Sequence, residues 1–228
     1  MTDAETLKRQ AAERALAYVA SGMRLGLGTG STATAMLYAL AERIADGRLS
    51  NIVGVPTSER TAELSRRLGI PLATLAEQPE LDLAIDGADE VTPELHLIKG
   101  LGGAMLREKI VVASARRFVV VADTSKRVGR LCERAPVPVE VVAFGRPLCE
   151  RRVAQLGGRP ALRLRPDGQP FVTDEGNLIL DCRFEPIGDP AALSAALDAI
   201  PGVVGHGLFV GMASVAVLAG PDGVTVLE

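Results

Sequence analysis

Four short apolar runs dominate the first 123 residues: RLGL at 24–27, NIVGV at 51–55, LDLAI at 81–85 and FVVVA at 118–122. Each is too short for a buried helix, and between them lie segments with helical composition. STATAMLYALAERIA follows the first run and ERTAELSRRLG the second; after the third, LHLIKG at 95–100 is a further short extended piece, and GAMLREKIVVASA follows it. A further helical pattern over 3–20 precedes them, with Leu7, Ala11, Ala15, Leu16 and Val19 on one face. Strands alternating with helices predict a parallel sheet covered on both faces. Ligands of such sheets bind beyond the C-terminal ends of the strands. Three polar loops stand there or close by: GTGST at 28–32, DGADE at 86–90 and IKGLGGAMLREKI at 98–110. They are expected to meet at one edge of one sheet.

The texture changes after residue 130. PVPVEVVAF is extended, 145–156 is helical and stops at two glycines, and PALRLR is a strand turned by PDGQP. FVTDEGNLILDC is extended again, DPAALSAALDAI is a helix with proline in its first turn, and PGVVGHGLF is a last strand. The order β-α-β-β-α-β is the split βαβ pattern of a small α+β domain. MASVAVLAG and DGVTVLE read as two strands that return to the first domain. The expected organisation is a domain of 1–130 with 207–228, carrying an insertion at 131–206.

With 228 residues, 47% of them hydrophobic, the chain supports one or two such cores. A net charge of −3 with both signs interspersed argues against nucleic acid or an anionic membrane as partner. The N-terminal stretch is charged and amphipathic rather than signal-like, and no uncharged apolar run is long enough to span a membrane, so the cytoplasm is expected. Cys132, Cys149 and Cys182 are widely spaced, which points to apolar packing rather than a disulfide scaffold. His96 and His206 have no partner at metal-ligand spacing, and no metal is expected.

The loop at 26–31, GLGTGS, fails the dinucleotide pattern: Ser31 stands where a glycine is needed, and the second strand lacks a closing carboxylate. What it retains is a strand–loop–helix anion cradle built from Thr29, Gly30, Ser31 and Thr32, with a hydroxyl residue capping the helix. In DGADE, Asp86 and Asp89 suit a divalent metal, sugar hydroxyls or turn capping. Lysine occurs only at 8, 99, 109 and 126 and is far outnumbered by arginine, so Lys99 beside a glycine turn and Lys126 after a strand are informative. Glu108 is a competent general base, and Lys99 with backbone N–H groups suits a developing oxyanion. The plainer alternative pairs Glu108 with Arg107 or Lys109 at the surface.

Taken together, GTGST, DGADE, IKGLGGAMLREKI, VADTSK, PVEV, LGGRPALR, TDEGNLILD and PGVVGHGLF resemble the A-type ribose-5-phosphate isomerase family, in the same order and over nearly the whole chain. The resemblance implies an open, Rossmann-like α/β domain with an inserted ferredoxin-like α+β domain, in a homodimer or homotetramer. It implies interconversion of D-ribose 5-phosphate and D-ribulose 5-phosphate in the pentose phosphate pathway, without metal or nucleotide cofactor. By this likeness Thr29, Gly30, Ser31, Thr32, Asp86, Gly87, Ala88, Asp89, Lys99, Gly100, Leu101, Gly102 and Lys126 bind substrate. Glu108 is then the catalytic carboxylate, with Lys99 and Asp86 assisting. Two positions depart from common members: Leu101 replaces a glycine found in some, and Ser214 stands where aspartate is common. A sugar-phosphate sensor of the same architecture needs the cradle but not Glu108; an NAD-linked oxidoreductase is opposed by the GLGTGS mismatches.

Overall fold

A computed structural model describes residues 4–228. Among these the chain runs α1 (Ala4–Ala15), β1 (Arg24–Leu27), α2 (Ser31–Ala45), β2 (Val53–Pro56), α3 (Glu59–Arg67), β3 (Leu83–Asp86), β4 (Glu90–Val91), β5 (Leu97–Ile98), α4 (Met105–Ala113) and β6 (Phe118–Asp123). It continues through β7 (Val137–Val141), α5 (Arg146–Gln155), β8 (Arg159–Leu162), β9 (Leu178–Arg183), α6 (Pro190–Asp198), β10 (Val203–His206), β11 (Leu208–Phe209), β12 (Val215–Gly220) and β13 (Gly223–Leu227). The helix expected over 3–20 is α1 plus a 3-10 turn at Leu16–Tyr18, and Asp3 lies outside the described residues. No helix among the described residues is long and apolar enough to cross a membrane.

The chain divides into two units. One holds residues up to Ala88, Arg107–Arg127 and Met212–Glu228; the other holds Asp89–Leu106 and Val128–Gly211. Segment 89–106, counted with the first domain in the expected organisation, thus groups with 128–211.

In the first unit a sheet runs in the order β13-β12-β6-β3-β1-β2. Neighbours pair in parallel from β12 to β2, and β13 returns antiparallel on β12. The antiparallel edge follows from the short connection, since Gly220 pairs directly with Gly223. On one face Ala11, Ala12, Ala15 and Leu16 are fully buried with Met36, Leu37 and Leu40 of α2. Small alanines let α1 lie close to its neighbours, and the strands beneath supply Leu25, Leu27, Val119, Val121 and Val217. Val55, Leu81 and Val111 pack together in a smaller cluster of the same unit. Ser214 Oγ accepts the N–H of Phe118 at 3.4 Å, and Ser214 N–H donates to Phe118 O at 2.9 Å, so Ser214 joins the starts of two strands.

The second unit carries a sheet ordered β10-β7-β9-β8, antiparallel throughout. Its chain order β7-α5-β8-β9-α6-β10 realises the split βαβ pattern, with β7 and β9 central. Val137, Val139 and Val141 pack with Cys149, Val153, Leu197 and Ile200. Asp189 caps α6 by accepting the N–H of Ala192 at 3.0 Å, ahead of Pro190. A small sheet of the same unit, β11-β5-β4, supports the KGLGG turn. The expected last strand is split at Gly207 into β10 and β11. A side chain there would strike Lys99 O and Pro138, so the backbones approach closely only because this residue is glycine.

Candidate active site

In the first unit, β1 sends the chain through α2 to β2, and the return through α3 places β3 on the opposite side of β1. The gap between the ends of β1 and β3 is therefore a topological switch point, where ligands of open α/β sheets bind. Leu27 is in register with Ile85, so Gly28 meets Asp86. A Cβ on Gly28 would fall on the Asp86 carboxylate and Cα, which makes glycine obligatory at the turn. Asp86 is 1% exposed, and its Oδ1 accepts the N–H groups of Thr29 at 3.0 Å and Gly87 at 2.7 Å.

Thr29 Oγ1 lies within 2.7–2.9 Å of the hydroxyls of Thr57, Ser58 and Thr61. Thr57 donates onward to Leu27 O and Thr61 to Gly28 O, both at 3.0 Å. Ser58 also caps α3, as its place ahead of that helix predicts, accepting Thr61 N–H at 3.1 Å. This hydroxyl knot locks the loop from below and takes both the N–H and the side chain of Thr29. Sequence reasoning missed Thr57 and Thr61; the run PTSERT directly after a strand is the signal that marks them.

The expected hydroxyl cap on α2 is absent. Its N-cap is Gly30, at φ +123, and no side-chain bond closes it. A left-handed φ suits glycine, and it turns the chain so that the first N–H groups of α2 open outward without intrahelical acceptors. Ser31 is exposed and Thr32 half-buried, so their side chains flank a helix N-terminus whose dipole favours an anion. Gly87 and Ala88 follow β3. Lys126 closes a 3-10 turn after the neighbouring β6, set by Asp123 Oδ1 accepting Ser125 N–H at 2.9 Å. Glu108 is 2% exposed, buried rather than at the surface, and Arg107 pairs with Glu59 at 2.8 Å.

In the second unit, Lys99 is 2% exposed. Its N–H donates to Gly207 O at 2.9 Å, and its ammonium lies 5.5 Å from the centroid of the Phe209 ring, a cation–π distance. Nothing in the sequence marked Phe209 as Lys99's neighbour. A turn follows, with Gly100 at φ +100, Gly103 at φ +83 and Gly103 N–H donating to Gly100 O at 3.0 Å. Asp89 Oδ2 accepts the N–H of Leu101 at 3.0 Å. That bond needs only a backbone N–H and asks nothing of the side chain at 101, which is 43% exposed. Among the described residues, the N–H groups of Gly100 and Gly102 have no partner.

Glu90, the last carboxylate of DGADE, has a task within the fold. Its carboxylate accepts the N–H groups of Cys132, Arg134 and Ala135 at 2.6, 2.5 and 2.7 Å. Among the described residues no three His, Cys, Asp or Glu side chains form a metal-binding group. The chain passes between the units within DGADE, after Ala88, and within α4, after Leu106.

An open α/β sheet with an anion cradle at its switch point, and a buried carboxylate and a buried lysine in adjoining motifs, defines a class: enzymes that hold a phosphorylated substrate and move its protons. The family described as ribose 5-phosphate isomerase A (phosphoriboisomerase A) matches residues 53–223. The chain is 70% identical over 226 residues to the ribose-5-phosphate isomerase A of Roseiflexus castenholzii, covering 99% of this chain and 97% of that one. The solved ribose 5-phosphate isomerase A of Methanocaldococcus jannaschii superposes with a TM-score of 0.94 at 39% identity, covering 99% and 100% of the two chains. A D-ribose-5-phosphate isomerase solved in complex with phospho-erythronic acid gives a TM-score of 0.97 at 38% identity, covering all of both. This chain belongs to the ribose 5-phosphate isomerase A family.

Proposed function

We propose that this chain interconverts D-ribose 5-phosphate and D-ribulose 5-phosphate, a step of the pentose phosphate pathway, through a cis-enediolate. The observation that carries this reading is the burial of Glu108 and Lys99, each 2% exposed and flanking in sequence a glycine turn with unused N–H groups.

The phosphate sits at the N-terminus of α2, on Gly30, Ser31 and Thr32, with Lys126 adding charge. Thr29 shapes that loop. Anchoring the remote phosphate holds C1 and C2 for reaction. Asp86, with Gly87, Ala88 and Asp89, faces the sugar, and Asp86 assists ring opening. In the open aldose, Glu108 takes the proton from C2 and negative charge develops on O1. Lys99 and the N–H groups of Gly100 and Gly102 stabilise it, with Leu101 part of the same turn. Glu108 returns its proton to C1, and the O2 proton passes to O1 by way of Asp86 or Asp89. Atoms balance without metal or nucleotide cofactor. A homodimer or homotetramer in the cytoplasm, acting on a soluble sugar phosphate, completes the reading, in keeping with the family resemblance.

The test is conversion of ribose 5-phosphate in deuterium oxide, followed by proton NMR, with Glu108→Gln alongside and chelator added. Expected is ribulose 5-phosphate with deuterium at C1, lost in the variant and indifferent to chelator. A folded wild-type protein that binds the sugar phosphate but forms no product overturns the proposal in favour of a sensor.

A further inference from the structure

Arg163 lies in the second unit just beyond β8, in a stretch that reads in sequence as an ordinary strand. Its backbone is fixed on both sides: its N–H donates to Ile179 O at 2.8 Å, and its carbonyl accepts from Phe171 N–H at 2.9 Å. The side chain is only 11% exposed. Nε donates to Asp181 Oδ2 at 2.9 Å and Nη2 to Asp181 Oδ1, a fork-on-fork pair. The guanidinium lies 5.8 Å from the Phe171 ring centroid, and that ring fills the space a Cβ on Gly103 would need. The remaining nitrogen, Nη1, donates to two consecutive carbonyls of the KGLGG turn: Gly100 O at 3.0 Å and Leu101 O at 3.1 Å.

Two consecutive carbonyls drawn to one cation have a geometric consequence. A peptide unit is planar and trans, so its C=O and N–H point in opposite directions. Holding Gly100 O turns the Leu101 N–H away from Arg163, and that N–H meets Asp89 Oδ2. Holding Leu101 O turns the Gly102 N–H away in the same manner, and that N–H has no partner among the described residues. A turn with glycine at 100, 102 and 103 has little conformational preference of its own. The planar guanidinium supplies that preference; a lysine, with one nitrogen and no fork, cannot hold Asp181 and both carbonyls at once.

We infer that Arg163, oriented by Asp181 and Phe171, is the positioning residue that aims the Gly102 N–H at the oxygen that becomes negative during isomerisation. The inference rests on the isomerase reading above. Arg163 itself touches neither substrate nor reacting atoms in this scheme. Its effect is therefore on turnover and on affinity for an enediolate-like anion, more than on affinity for the ground-state sugar.

The experiment measures kcat and KM for ribose 5-phosphate, and inhibition by phospho-erythronic acid, for wild type, Arg163→Ala, Arg163→Lys and Asp181→Asn. The carboxylate of that acid presents a planar anion resembling the enediolate. Expected for Arg163→Ala is a loss of about 10²-fold in kcat, the scale of a small misplacement of a catalytic group, with KM nearly unchanged. Inhibitor affinity should weaken in step with kcat/KM across the series, and added guanidinium ion should restore part of the Arg163→Ala turnover while doing nothing for wild type. Arg163→Lys and Asp181→Asn should fall between, and they decide the matter if Arg163→Ala does not fold. Folded variants with wild-type kcat, or with losses confined to KM, overturn the inference. A wild type that forms no ribulose 5-phosphate overturns the isomerase reading and this inference together.

Discussion

The backbone N–H of Thr29 donates to Oδ1 of Asp86 at 3.0 Å, joining the loop after β1 to the end of β3 across 57 positions of sequence. One carboxylate thereby shapes the loop after β1 while standing at the proposed sugar site. Asp86→Asn keeps an acceptor for Thr29 and Gly87 but removes the charge. It should lower turnover while leaving the melting temperature near that of wild type. Asp86→Ala abandons two N–H donors and should cost about 1–3 kcal/mol in denaturant unfolding. Gly28→Ala, which drives a methyl into Asp86, should cost a similar amount by overpacking.

Thr29 and Ser31 are two residues apart and should behave oppositely. Thr29→Val removes the centre of the hydroxyl knot with Thr57, Ser58 and Thr61 and should cost about 1–3 kcal/mol of stability. Ser31 is exposed and makes no capping bond, so Ser31→Ala should change stability by less than about 0.5 kcal/mol. Its effect should be a raised KM. Equal stability losses in the two variants would show that the knot does not hold the loop.

Lys99→Met keeps most of the volume beside Phe209 and deletes the charge. A lost oxyanion donor predicts a fall in kcat of about 10²–10³-fold with KM little changed. Steady-state kinetics on folded protein decides this, and a loss confined to KM would reassign Lys99 to ground-state binding.

Glu140 is 1% exposed and accepts Thr173 Oγ1 at 2.8 Å and Asn177 Nδ2 at 3.0 Å, pinning the TDEGN turn. Burial pushes its carboxyl above the ordinary value of 4.5, against the lowering effect of those two donors. Between 4.5 and the raised folded value the folded state binds more protons than the unfolded chain. Stability from this group therefore falls as pH rises through that window and is level beyond it. Glu140→Gln keeps an acceptor and removes the titration. Urea unfolding at several pH values should show it at least as stable as wild type at neutral pH, with a shallower decline across the acidic window.

Cys132, Cys149 and Cys182 are all buried, and burial raises each thiol above its usual range. Thiolate is the reactive form, so a thiol reagent should label none of them in native buffer and all three in denaturant. Rapid labelling of native protein would contradict this packing.

The alternation of apolar runs and helical segments foretold the parallel core, and the order of elements after residue 130 foretold the split βαβ sheet, because period and composition act over a few residues at a time. Ser58 was legible as a cap for the same reason. The α2 cap was not: Ser31 looks like a capping hydroxyl, but the Leu27–Ile85 register brings Gly28 against Asp86 and leaves Gly30 to make the turn. Segment 89–106 reads as a continuation of the first domain, yet β4 pairs with β5 and β5 pairs with β11, more than a hundred residues on. Glu90 stands in sequence beside Asp86 and Asp89, yet three backbone N–H groups from 132–135 claim its carboxylate.

The sequence by itself determined the kinds of element, the polar loops at the strand ends and the family, because residue types at short spacing carry that information. Tertiary structure alone decided which polar groups the fold consumes and which it leaves for a substrate. Thr29 is taken by three hydroxyls and Asp86, Glu90 by a distant turn and Leu101 by Asp89, while Arg163 holds the carbonyls of a glycine turn some sixty positions away. Hydrogen-bond capacity is finite and directional, and strand register settles how it is shared out.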